Sequence, residues 1–245
     1  MHQIGLRFSI AAQAAWAPGL TTHADWQAWA QSPHRIVAGA EPPVAAMAPM
    51  LRRRTGMPGK MALEVAYACV GARTDIPTVF CSRHGEVARA VDLLADLARA
   101  EALSPTAFGL AVHNATAGLF SIARHDHANH SALAGGDATV EHGVIEACGL
   151  LADGHAEVLL VAYDRALPEP LEHFADCDEQ PHAWAWLVTA PEGASLGLAW
   201  DAADEVAPDA ARPPGMLDVL RFALSDADCM ERVAGSRRWT WTRHA

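Results

Sequence analysis

Residues 129–164, NHSALAGGDATVEHGVIEACGLLADGHAEVLLVAYD, constrain the fold more than any other stretch. A short apolar run ends at Gly135–Gly136, a helical pattern follows to Gly154, and AEVLLVAYD at 156–164 reads as a buried strand. A helix linking two strands is the mark of an α/β sheet with crossover connections. A Gly-Gly corner between strand and helix is where many α/β enzymes expose a nucleophile. This corner holds no Ser, Cys or Lys.

Further elements fit around that unit. The period-2 run IGLRFSI at 4–10 predicts a first strand, followed by an irregular Trp- and Pro-rich stretch to about residue 60. GKMALEVAYACVG predicts a helix ended by Gly71, IPTVFCS (76–82) a strand, and EVARAVDLLADLARAEAL (86–103) an amphipathic helix with Val87, Val91, Leu94 and Leu97 along one stripe. After Pro105, TAFGLAVHNATAGLFSIAR (106–124) reads as helical, NHSALA (129–134) as a short strand and HAWAWLVTA (182–190) as a last strand. Residues 191–245 predict a loop, a short helix near MLDVLRFAL and an extended RRWTWTR, whose Trp239 and Trp241 are placed to plug apolar surface. No internal repeat is visible. The expected order is β-α-β-α-α-β-α-β-β.

The chain has 245 residues, 51% of them hydrophobic, which suits one well-buried core. Its longest apolar runs fall short of the ~20 residues that span a bilayer, and its first residues lack the pattern of a secretory signal. With net charge −11 and Lys60 as the lone lysine, it has no basic face for nucleic acid. The five cysteines, Cys69, Cys81, Cys148, Cys177 and Cys229, form no CxxC and suggest neither a disulfide framework nor zinc, so a reducing cytoplasm is expected. In RHDHANH (124–130), His125, His127 and His130 lack the i, i+4 spacing of helical metal pairs and read as a solvated loop. Cys81 near His84 in CSRHG reads as a structural cysteine, and His142 as a surface histidine. No metal or cofactor is expected.

The segment SPTAFGLAVHNATAGLFSIARHDHANHSALAGGDATVEHGVIEACGLLADGHAEVLLVAYD resembles the N-terminal half of the β-ketoacyl synthases, condensing enzymes of thiolase type. Asn114, Ala117, Gly118, Ser121 and Ile122 match the family's N-x-x-A-G-x-x-S-I helix, and ADGHAEVLLVAYD its G-x-A-D-x-x-x-x-G region. The resemblance covers roughly residues 60–190. It implies an α/β, single thiolase-like half-fold over 1–245. That fold would hold a five-stranded, mostly parallel sheet with helices on both faces, made of strand one and the irregular segment (1–60), a core (61–190) and a C-terminal extension (191–245).

Two departures bear on function. The family's nucleophilic cysteine falls at Gly135 or, in the other register, Gly136, and Cys148 lies about three helical turns downstream. The family's second half, with its two histidines, has no counterpart, since neither HGTGT nor NSFGFGG occurs. By itself the chain is therefore not expected to condense anything. The resemblance is greatest to the chain-length-factor-like homologues of bacterial type II systems that make aryl polyene pigments. It implies a heterodimer with a complete β-ketoacyl synthase. An acidic acyl carrier would dock on that partner, with at most a local contribution from Arg52–Arg54.

Carried over residue by residue, the strand Asn129, His130, Ser131, Ala132, Leu133 and Ala134 would pair across the dimer axis. Phe108, Leu110, Val112 and His113 would close the partner's acyl tunnel. The competing reading of Phe108, Leu110 and Val112 is ordinary core. Two other functions remain open here: a free-standing acyl-thioester enzyme (thioesterase or acyltransferase) and a homodimeric structural or regulatory protein.

Overall fold

The structure, a computed structural model, describes residues 5–204, 207, 209 and 211–245. Eight strands form one sheet in the order β3-β2-β4-β5-β1-β6-β8-β7. In chain order they are β1 (Gly5–Trp16), β2 (Thr78–Cys81), β3 (His130–Leu133), β4 (Glu157–Asp164), β5 (His182–Thr189), β6 (Ser195–Ala202), β7 (Cys229–Ala234) and β8 (Arg237–His244). The helices are α1 (His23–Gln31), α2 (Pro49–Arg52), α3 (Met57–Val70), α4 (Val87–Ala98), α5 (Pro105–Gly109), α6 (Ala115–Arg124), α7 (Thr139–Ala152) and α8 (Gly215–Leu224).

The thiolase-like α/β class holds, but the sheet has eight strands rather than five and is not mostly parallel. Only β2–β3 and β2–β4 are parallel, and the other pairings are antiparallel. Crossover helices join β2, β3 and β4, whereas hairpin-like or returning connections join the rest. The first strand runs on through Ala11–Trp16, residues expected to be irregular, because β5 pairs with it over Ser9–Trp16. The stretch 106–124 is two helices rather than one, since Leu110–Asn114 turn between α5 and α6. The helices at 57–70 and 139–152 stand where the sequence placed them, the first closed by Gly71 at φ 57°.

Strand β5 shows why its sequence alternates. Trp184, Trp186 and Val188 enter one apolar cluster with α1, α7 and α8, while Ala183, Ala185 and Leu187 enter another with α3 and α6. Both faces are covered, so all but the last residue of the strand are buried.

Residues 191–245 supply what a half-fold lacks. Along β8 the side chains alternate: Trp239 and Trp241 are buried, and Thr240 and Thr242 face outward. Trp241 meets Phe8 and Trp186, and Trp239 meets His142 of α7 and Trp200 of β6. The two tryptophans close over α7 in the place expected of them, with β6 and β7 as unforeseen strands on either side.

Candidate functional site

Strand β3 ends at Leu133 and the chain turns into α7 through Gly135–Gly136. Thr139 stitches the turn: its Oγ1 accepts from Gly135 N–H at 2.9 Å and donates to Gly136 O at 2.6 Å. Gly136 has φ +58°, in the left-handed region that suits glycine. At Gly135 the constraint is different, because a Cβ there would lie 2.9 Å from Nδ1 of His142. His142 donates from Nδ1 to Ala138 O at 2.8 Å, since a carbonyl only accepts. A cleft of about 430 Å³ opens beside the turn, bounded by Gly135, Gly136, His142, Cys177, Arg212 and Trp239. It lies outside the carboxyl ends of the parallel strands, the usual place for a site in an α/β sheet.

Beneath the turn lies a charge cluster that the sequence did not reveal. Glu141, fully buried in the first turn of α7, takes Arg232 Nη1 at 2.8 Å and Trp241 Nε1 at 3.4 Å. Arg232 also reaches Asp137 in the corner, at 2.7 Å. A pairing across the 91 positions from Glu141 to Arg232 has no local signature; the one hint was an arginine interrupting the apolar positions of CMERVA.

The thiol nearest the corner in sequence, Cys148, is not the one the fold brings to it. Cys177 lines the cleft from the 165–180 loop, and Arg83 Nη1 donates to its Sγ at 2.9 Å. Burial pushes the Cys177 thiol up to about 11 despite that arginine, and the Cys148 thiol likewise to about 11. Cys81 is completely buried under Gly143, and burial, then Asp164 and Glu146, raise its thiol far above the ordinary cysteine value. His84 turns from Cys81 to Glu179, at 2.7 Å. None of these thiols is held as a thiolate. Among the described residues, no three His, Cys, Asp or Glu side chains are grouped to hold a metal ion, and no helix is long and apolar enough to cross a membrane.

At the ends of β2 and β4, Ser82 Oγ donates to Asp164 at 2.8 Å and accepts from Gly85 N–H at 2.7 Å. His182, paired with Asp164 across β4–β5, is fully buried, and desolvation holds its pKa below the ordinary 6.5. The unfolded chain therefore takes up a proton near pH 6.5 that the folded chain refuses, so this histidine's contribution to stability is lost as pH falls from about 6.5 toward its folded pKa. His182→Gln is expected to flatten the slope of Tm against pH in that window; an unchanged slope would assign the pH dependence elsewhere.

The other expected site residues fall on the crossover from β2 to β3. Phe108 and Val112 are 65% and 43% exposed, so they are not core in this chain. Leu110 is half-buried against the α3–α6 cluster. His113 donates from Nε2 to Ser82 O at 2.8 Å, and Gly85, at φ +54°, packs on its ring. Of Asn129–Ala134, the strand proper is His130–Leu133, paired on one side with β2 and open on the other. Helix α4 buries none of its residues; Leu94 and Leu97 of its apolar stripe are 63% and 59% exposed, and Ile122 of α6 is 59% exposed.

Residues 26–242 match the family model for the β-ketoacyl synthase N-terminal domain. No curated protein sequence matches significantly. Among solved structures, a chain of the ketosynthase ApeO in complex with its chain length factor ApeC, from Xenorhabdus doucetiae, is 26% identical with a TM-score of 0.82, over 97% of this chain and 100% of that one. The ishigamide ketosynthase/chain length factor (14% identity, TM-score 0.69, 97% and 98% covered) shares the fold. So does the AntDE:AntF complex of a type II polyketide acyl-carrier protein with its ketosynthase (7%, 0.71, 98% and 99%). With most of its length accounted for by the family model and the corner, edge strand and crossover in the expected order, the chain belongs to the β-ketoacyl synthase N-terminal domain family.

Proposed function

We propose that this chain is a non-catalytic, chain-length-factor-like subunit that pairs with a complete β-ketoacyl synthase and helps shape its acyl tunnel, in a cytoplasmic type II system of the aryl polyene kind. One observation carries the reading. The crossover from β2 to β3 leaves Leu94, Leu97, Phe108, Val112 and Ile122 exposed next to a strand with a free edge. A crossover normally covers the sheet with its apolar stripe; here the stripe has no cover among the described residues. Exposed apolar side chains on the helices of that crossover, together with an open strand edge, are what a partner chain buries.

The corner supports the non-catalytic part. Neither Gly135 nor Gly136 offers a nucleophile, and the thiol that lines the cleft, Cys177, is buried and pushed up to about 11. The ApeO–ApeC match supports the pairing, because its chain is matched end to end by one of this length. In this reading His130–Leu133 pairs across the axis, Phe108 and Val112 reach the partner's tunnel, and the acyl carrier approaches through the synthase. The single domain over 1–245 is part of the proposal.

The test is co-purification with a complete β-ketoacyl synthase from the same source. Leu94→Asp with Leu97→Asp is expected to lower affinity by at least ~100-fold while leaving Tm within a few degrees, because both side chains face solvent in the free chain. Unchanged co-purification would remove α4 from the interface. Phe108→Ala is expected to keep the complex and lengthen its products; identical product lengths would remove Phe108 from the tunnel. For a free-standing thiol enzyme the discriminating result is turnover of an acyl thioester by the isolated chain, lost on alkylation of Cys177.

A further inference from the structure

We propose that Arg232 is the positioning residue of the glycine corner, so that the C-terminal layer sets the corner's shape from the far end of the sequence. The consequence for a bound synthase rests on the subunit reading above; the positioning itself does not.

The guanidinium grips the corner at three points. Nη1 donates to the main-chain carbonyl of Asp137 at 3.0 Å and to Glu141 at 2.8 Å, and Nη2 lies 2.7 Å from the Asp137 carboxylate. Main chain and side chain of the residue following Gly136 are thus tied, together with the first turn of α7, to one planar group. The side chain is 3% exposed and Glu141 fully buried, so that pair is shielded from solvent and salt, while the Asp137 carboxylate is 26% exposed. Glycine at the start of α8 makes room: a Cβ on Gly215 would overlap the guanidinium and lie 2.6 Å from the Asp137 carboxylate. Helix α8 thereby backs the arginine, and strand β7 carries it.

The geometry calls for arginine in particular. A lysine presents one point charge and cannot span a carbonyl and two carboxylates. A cation near a helix N-terminus is unfavourable by itself, and Glu141 and Asp137 offset it. Because β3 runs directly into this corner, the same grip fixes where the open edge strand ends and where His142 stands over Gly135.

The experiment compares the wild-type chain with Arg232→Lys and with Arg232→Met/Glu141→Leu, the latter replacing the buried pair by apolar groups so that the fold survives. Hydrogen exchange is read on the isolated chain. Amides of residues 135–141 are expected to exchange about tenfold faster in the double variant and less so in Arg232→Lys, with β4 and β5 unchanged. Uniform acceleration over the whole chain, or none, would overturn the proposal and leave Arg232 a general stabiliser. Complexes with the synthase provide the second arm: the double variant should still pair but give a broader product-length distribution. A wild-type chain that does not pair would end the subunit reading, while the exchange result would still decide the role of Arg232.

Discussion

Removal of residues 235–245 is expected to abolish folding rather than trim a tail. Strand β8 lies between β6 and β7 and pairs with both, so its loss leaves β7 without a partner and β6 paired only with β1. It also withdraws Trp239 and Trp241, which are 1% and 0% exposed and close the apolar cluster over α7. Truncating one buried tryptophan costs about 3–5 kcal/mol, and a domain of this size is stable by about 5–15 kcal/mol in all. Two such losses, about 6–10 kcal/mol, take up most of that margin before the newly exposed faces of α7 and β6 are counted. The milder Trp241→Ala should lower the urea midpoint sharply while leaving a folded population at low temperature. A truncated chain that stays soluble with an unchanged Tm would show that the C-terminal layer is not part of the core.

Glu141→Leu should cost almost as much, about 3–5 kcal/mol, because it leaves the Arg232 guanidinium buried without its fully buried partner, answered only by the more exposed Asp137 and by Asp218. The companion change reverses most of that loss. Arg232→Met combined with Glu141→Leu removes both charges and is expected to come within about 1 kcal/mol of wild type. Urea denaturation of the two single variants and the double gives the coupling energy directly. Additive losses would mean that the pair is not coupled and that the charges are solvated in a way their burial does not suggest.

What the sequence made legible follows from the kind of signal each element carries. The unit from His130 to Asp164 was readable because Gly135–Gly136 and Gly154 punctuate a helix between apolar runs. Strand β5 was readable from its alternating tryptophans. The missed strands failed for physical reasons. In β6 the alternation of Leu196, Leu198 and Trp200 is present but broken by small residues, and in β7 the inward position is occupied by a charge whose partner is 91 positions away. The mostly parallel sheet is what the resemblance implies; crossover helices do make β2, β3 and β4 parallel, but the remaining strands join by returning connections and pair antiparallel. Phe108 and Val112 were open to a core reading by composition alone, and the stripe of α4 was legible only as amphipathic. Only the fold shows that nothing among the described residues covers them.

The central claim is partnership with a complete synthase, and its most direct test is co-expression of the two chains followed by size-exclusion chromatography with mass determination. A one-to-one complex that elongates a carrier-bound acyl chain, where the synthase by itself does not, is the predicted result. Two separate peaks, with the synthase fully active as its own homodimer, would contradict it.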